Sequence, residues 1–204
     1  MRKVYKFFFF PQIGTFFFIG VGEREIAQRH FAQWVRYHRA FQLYGLMQRP
    51  PRMWEMEVVV LIGDTGVGKT RWAWDKYPDL FSVPPTKQSG CYWDGYDGQD
   101  TVLIDEMYGS RFSHSFLLLL LDRYPMMVPV HGGQVVFSSQ RIVITSNAHP
   151  EEWYDAEKFP FFEGPLYRRM TQGRSRICRV DPGPVLHTLA GCATPELIGP
   201  LNRT

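Results

Sequence analysis

Apolar residues gather along the middle of the chain in short runs with polar positions only at their ends: Val58 to Ile62, Thr101 to Ile104 and Arg141 to Thr145. Such brief, largely β-branched runs predict strands buried on both faces, the pattern of a parallel sheet covered by helices. A fourth run, Phe116 to Leu121 within Ser113 to Asp122, has no Gly, Pro or β-branching and predicts a buried helix. Val128 to Val130 and Val135 to Phe137, separated by His131, Gly132, Gly133 and Gln134, predict a hairpin. Residues 70–77 should be helical, 80–83 a short strand, Pro84 to Gly98 a loop and Ser175 to Val180 the last strand. From Asp181 onward, Pro182, Pro184, Pro195 and Pro200 predict a loosely ordered tail.

Ahead of the sheet the period changes. Ala27, Phe31, Trp34, His38 and Phe41 recur at helical spacing between Glu23 and Tyr44, while Arg24, Arg29, Arg36 and Arg39 fall mostly off that face. Pro50 and Pro51 then mark a boundary. Met1 to Gly22 is different again: Phe7 to Phe10 and Phe16 to Phe18 surround Pro11, Gln12 and Gly14, a pattern that matches no folded element. Arg2, Lys3 and Lys6 ahead of an apolar run fit a targeting peptide, and a segment foreign to the functional protein fits equally. The run is too short and interrupted for a membrane helix, which needs about 20 residues.

A length of 204 residues suits one main α/β domain with a small appendage. The four segments expected are 1–22, 23–50, 51–180 and a tail over 181–204. The net charge of +3 hides an uneven split. Residues 1–50 hold 8 Lys and Arg against 2 Asp and Glu, whereas the rest hold 15 against 18. The basic arm suits nucleic-acid phosphates, an acidic neighbouring surface or simply a solvated helix. Cys91, Cys178 and Cys192 are odd in number and lack C-x-x-C spacing, so neither a disulfide framework nor a zinc site is indicated, and a reducing, intracellular setting fits.

The chemistry lies at the ends of the apolar runs. Gly63, Asp64, Thr65, Gly66, Val67, Gly68, Lys69 and Thr70 spell G-x-x-x-x-G-K-[ST] directly after the first run. Strand, loop and helix in that order bring backbone N–H groups onto a polyphosphate, with Lys69 reaching the β and γ phosphates and Thr70 ligating Mg2+. ATP with Mg2+ is therefore the expected cofactor. The second run ends in Asp105 and Glu106, 36 positions beyond Lys69, a Walker B pattern in which Asp105 holds the metal and Glu106 polarises water. The third ends in Ser146 and Asn147, where an amide can sense the γ-phosphate or merely shape a turn. Arg168 and Arg169 fit either an arginine offered to a neighbouring subunit's nucleotide or an ordinary surface pair.

These residues, with Trp93 to Gly98, Asp122 to Pro125, Val130 to Gly133 and Ile144 to Asn147, resemble in order and content the superfamily 3 helicase domain of Rep, the replication initiator of circovirus-like and cyclovirus-like DNA viruses. The resemblance spans about Glu23 to Val180. It implies an AAA+-like P-loop NTPase fold, a central mainly parallel sheet flanked by helices, and oligomerisation through the segment 23–50. It also implies a homo-hexameric ring that hydrolyses ATP between subunits, moves along single-stranded DNA and works in the host nucleus. The hairpin residues His131, Gly132, Gly133 and Gln134 would face the strand. The family commonly has Lys where His131 stands, so weaker phosphate attraction is expected. The N-terminal endonuclease motifs of Rep, His-hydrophobe-His and Tyr-x-x-Lys, are not found, so origin nicking is not predicted. The Phe-rich start stands where that nuclease or its linker would end, which suits a truncated chain. RNA is not excluded as substrate, since RNA virus helicases share the fold family. A small-molecule kinase gives no reason for Asp105, Glu106 and Asn147 together, and a non-catalytic remnant gives none for their intactness.

Overall fold

The computed structural model describes residues 7–10, 15–18, 27–38, 51–85, 91–109, 111–162, 164–182 and 185–191. The chain divides into two units, Met1–Pro50 and Pro51–Thr204. In the first, strand β1 (Phe7–Phe10) pairs antiparallel with β2 (Thr15–Phe18), Phe7 opposite Phe18 and Phe10 opposite Thr15. This corrects the expectation of no folded element, since aromatic residues favour extended backbone. Residues 27–29 and 31–38 are helical, and Phe31 stacks on Trp34 with ring centroids 6.0 Å apart. Arg24, Arg39 and Phe41 lie outside the described residues, as does Cys192.

The second unit is built on a six-stranded sheet of β3 (Glu57–Ile62), β4 (Phe81–Ser82), β5 (Thr101–Ile104), β8 (Arg141–Ser146), β9 (Arg176–Asp181) and β10 (Val185–Gly191). Its order is β10-β9-β3-β8-β5-β4, all parallel from β9 to β4. Val58 to Leu61, Val102 to Ile104 and Ile142 to Ile144 are fully buried, as unbroken apolar runs require. Val59, Leu61, Leu103, Val143, Cys178 and Val180 form one cluster with Trp72 and Ala73 of helix α1 (Lys69–Lys76). Helix α3 (Pro165–Thr171), with Leu166 and Met170 buried, contacts β3, β9 and β10. Because neighbouring strands run together, Ile62, Ile104, Ser146 and Asp181 all end at one edge, where sites in such sheets form.

Three expectations need correcting. Val185–Gly191 is ordered as an edge strand antiparallel to β9, with Val185 opposite Asp181, so β9 is not the last strand. Pro182 stands in a turn just before this strand, and an edge strand tolerates a proline nearby. Helix α2 (His114–Leu120) is buried on one face only: Leu117 and Leu120 are covered, while Leu119 is 59% exposed. The hairpin of β6 (Met127–Val130) and β7 (Gly133–Val136) turns through His131 and Gly132 alone, with Val130 opposite Gly133, so Gly133 and Gln134 belong to a strand.

Side chains the sequence did not single out hold these parts together. Arg52 is wholly buried and donates to the carbonyls of Leu119 (2.9 Å), Leu120 (2.7 Å) and Tyr124 (2.7 Å), satisfying the C-terminal end of α2. Burial lowers its pKa to about 10, against the opposing pull of Asp122 and Tyr96. Trp93 and Tyr96 seat the loop before β5 against Phe81 and Phe137, the Trp93 and Phe137 rings lying edge-to-face at 5.7 Å. The Trp93 backbone N–H also donates to the Pro129 carbonyl (2.8 Å), which fixes the loop to the hairpin.

Candidate nucleotide-binding site

Gly63 to Gly68 leave β3 and enter α1, as the loop pattern demands. Gly66 and Gly68 hold φ at 87° and 96°, and a Cβ on either would meet nothing within 4 Å, so the loop opens onto free space. Gly63 is required for a different reason: its Cβ would fall 2.4 Å from the Val180 carbonyl oxygen of the neighbouring strand.

Lys69, 7% exposed, donates from Nζ to the carbonyls of Gly63 (2.6 Å) and Asp64 (2.8 Å) and to Asn147 Oδ1 (2.9 Å). Burial lowers its pKa, opposed by Asp105, Asp64 and Glu106. Asn147 spans the mouth of the site, its Nδ2 donating to Thr65 Oγ1 at 3.3 Å. Thr70 Oγ1 donates to Asp105 Oδ1 at 2.7 Å, and Thr145 Oγ1 donates to the same oxygen at 2.6 Å. Thr145 also accepts the Glu106 N–H at 2.8 Å. Glu106 is exposed and sits at φ 53°, in the left-handed region, a conformation that costs a non-glycine residue about 1–2 kcal/mol. Such outliers persist where the surroundings over-determine them, and here Thr145 and the Met107 N–H to Thr145 carbonyl bond (2.7 Å) do so.

The residues fit a magnesium-bound triphosphate. A hydroxyl and a carboxylate converge beside an open loop with a lysine at its base, the oxygen donors a hard divalent cation takes alongside phosphate. Among the described residues there is no group of three or more His, Cys, Asp and Glu that would hold a metal by protein ligands alone. Of the eight loop residues, Asp64, Thr65 and Gly66 are exposed and Val67 packs on the core cluster.

Two groups of predicted residues lie elsewhere. Arg168 and Arg169 line a cleft of about 380 Å³ with Glu55, Met56 and Asp122. Glu55 and Met56 precede the first residue of β3, so this cleft is at the opposite edge of the sheet, about 20 Å from the loop by strand rise. Arg169 is ion-paired with Asp122 and donates to the Pro165 carbonyl (3.1 Å), whereas Arg168 is exposed. At the hairpin, His131 donates its backbone N–H to Asp94 Oδ1 (2.9 Å), pairs through Nδ1 with Asp94 Oδ2, and stacks on Tyr92 at 4.2 Å. Sequence reasoning gave no role to Thr145 or Asp94. A hydroxyl one residue before Ser146 on a buried strand was the available signal for Thr145.

Sheet order and loop chemistry together make the larger unit a P-loop NTPase. Residues 59–148 match the family model described as RNA helicase. The chain is 41% identical over 150 residues to the replication-associated protein of Beak and feather disease virus, covering 73% of this chain and 49% of that protein. For the canary circovirus protein of the same name the identity is 40% over 149 residues, 72% and 49% of the two chains. For porcine circovirus 2 it is 39% over 153 residues, 72% and 46%. The larger unit is thus a superfamily 3 helicase domain similar to that of the viral Rep proteins, and the chain spans about half the length of the curated relatives it matches.

Proposed function

We propose that this chain is an ATP-driven motor that moves along single-stranded DNA during rolling-circle replication of a circular DNA virus in the nucleus of the host cell. The observation that carries this reading is the convergence of Lys69, from the start of α1, with Asp105 and Asn147, from the ends of the neighbouring parallel strands β5 and β8, at one open phosphate loop. Magnesium, when bound at Thr70 and Asp105, would neutralise charge between the β and γ phosphates. Lys69 grips the phosphates from below, Asn147 registers the terminal one, and Glu106 takes the proton of the attacking water.

Arg168 fits the role of an arginine supplied to a neighbouring subunit, because it is exposed at the sheet edge away from its own loop while Arg169 is committed to Asp122. A homo-hexameric ring is the assembly that brings the two edges together. Phe31 and Val35, 66% and 53% exposed on the N-terminal helical stretch, suit such packing. The hairpin tip at His131 and Gly132, with Gly133 and Gln134 beside it at the start of β7, would touch the strand.

The test is phosphate release from ATP and Mg2+ by the full chain alone, with oligo(dT) and with oligo(U). Stimulation by oligo(dT) is the expected result. Stimulation by oligo(U) alone would favour the RNA reading that the family model's name suggests, and no hydrolysis under any condition would remove the motor.

A further inference from the structure

Arg179 takes no part in the fold's core and was not singled out by any motif, yet β9 carries it to the phosphate loop. In the parallel register it lies beside Ile62, the residue immediately before Gly63. Neighbouring strands are about 4.8 Å apart, so a side chain at this position stands next to the loop. It lines a small cleft of about 120 Å³ together with Gly63, Asp64, Asn147 and Asp181.

Two observations say which part of a nucleotide would meet it. Gly63, Asp64 and Asn147, all on this cleft, are the three residues that accept from Lys69 Nζ, the atom that reaches toward the β and γ phosphates in loops of this pattern. The cleft is therefore at the terminal-phosphate end. Second, the guanidinium is available: Nε pairs with Asp181 Oδ1 at 3.1 Å, between side chains 60% and 40% exposed. Exposed pairs of this kind are weak and yield readily to a polyphosphate, which offers a bidentate, doubly charged partner. Asp181 would not be left alone, because His187 Nε2 lies 3.5 Å from its other oxygen, Oδ2.

We infer that Arg179 is a contact to the γ-phosphate supplied by the same subunit, held on Asp181 until a nucleoside triphosphate enters and exchanged onto it. This rests on the nucleotide-binding reading above and adds to it a residue that discriminates triphosphate from diphosphate. It is distinct from Arg168, which stands at the far edge of the sheet.

The experiment measures equilibrium dissociation constants for ATPγS and ADP, each with Mg2+, on the full chain. Arg179→Ala should weaken ATPγS about tenfold and ADP less than about twofold, the loss of one charge-assisted contact. Arg179→Lys should recover part of that loss, and Asp181→Asn, by freeing the guanidinium, should tighten ATPγS alone. Equal weakening of both nucleotides by Arg179→Ala, or an unchanged ratio, overturns the inference. Should Arg179→Ala fail to fold by thermal melt, the ratio in Asp181→Asn decides it: a rise supports the exchange and no change refutes it. Lys69→Ala is the reference. If it binds ATPγS as tightly as the unsubstituted chain, the nucleotide reading itself fails; if it weakens binding while the Arg179 variants leave the ratio fixed, only this inference falls.

Discussion

Thr145 and Asp105 meet across two adjacent strands, the threonine hydroxyl donating to the carboxylate oxygen at 2.6 Å while it accepts the backbone N–H of Glu106 at 2.8 Å. One hydroxyl thereby sets both acids of the Walker B pair: it orients the proposed metal ligand and holds the backbone of the proposed base in its left-handed conformation. Its removal without change of shape, Thr145→Val, leaves the half-buried Glu106 N–H without its acceptor. The expected loss is about 1–3 kcal/mol of stability and at least about tenfold in kcat, with ATP affinity changed far less. Urea unfolding and steady-state kinetics check the two parts separately, and an unaltered kcat would detach Thr145 from the site.

Arg52 shows a similar economy away from the chemistry. One guanidinium satisfies carbonyls of Leu119, Leu120 and Tyr124 and lies 5.0 Å above the Phe137 ring, joining α2 to the base of the hairpin. Arg52→Met keeps the apolar stem and removes the donors, and should cost on the order of 3 kcal/mol in urea unfolding because several buried acceptors lose their partner. Binding of ATPγS at saturating Mg2+ should survive.

Arg168 and Arg169 differ by their partners, so their variants should differ in kind. Arg169→Ala should lower the melting temperature, since it leaves the Asp122 carboxylate without its ion pair. Burial works against that carboxylate, but hydrogen bonds from Arg169 and the Arg123 N–H outweigh it and hold its pKa below the ordinary 3.8. A depressed folded pKa contributes stability that is present above 3.8 and lost as pH falls through the folded value, so Asp122→Asn should flatten the acid limb of the stability profile. Arg168→Ala should melt normally yet hydrolyse ATP poorly. Mixed with the equally inactive Lys69→Ala, it should regain turnover, because each variant supplies the half-site the other lacks. No recovery on mixing would argue against action between subunits.

At the hairpin tip, Asp94 places a negative charge against His131, and the His131 hydrogen bonds to it, backbone and side-chain, hold the Asp94 pKa low. The carboxylate therefore stays ionised near the position proposed to meet phosphates. Asp94→Asn should strengthen binding to oligo(dT), and His131→Lys should strengthen it further and steepen the fall of log K with log salt by about 0.7, one phosphate contact on a single strand. Fluorescence anisotropy across a salt titration measures both, and identical slopes would remove the tip from the strand.

Much of the site was legible because it is written in short-range pattern. An apolar strand followed by Gly63 to Thr70 fixes loop and helix locally, and Asp105, Glu106 and Asn147 each follow a buried strand whose parallel pairing carries them to one edge. What the sequence could not convey is long-range company. Thr145 meets Asp105 only because β5 and β8 are neighbours, Arg179 reaches Gly63 only through the β9 register, and His131 is paired with a residue 37 positions away. The edge strand β10 follows a proline-rich stretch of sequence that reads as a tail, and α2 is buried on one face only because six apolar residues cannot all face one way on a helix.

The central claim is that Glu106 activates water at a site that other residues build. Single-turnover hydrolysis of ATP by Glu106→Gln, beside ATP binding by the same variant, tests it most directly. Binding within about twofold of the unsubstituted chain is expected, with the chemical step slowed by at least about a hundredfold, the scale of general-base catalysis. Hydrolysis at the unsubstituted rate with binding intact would contradict it.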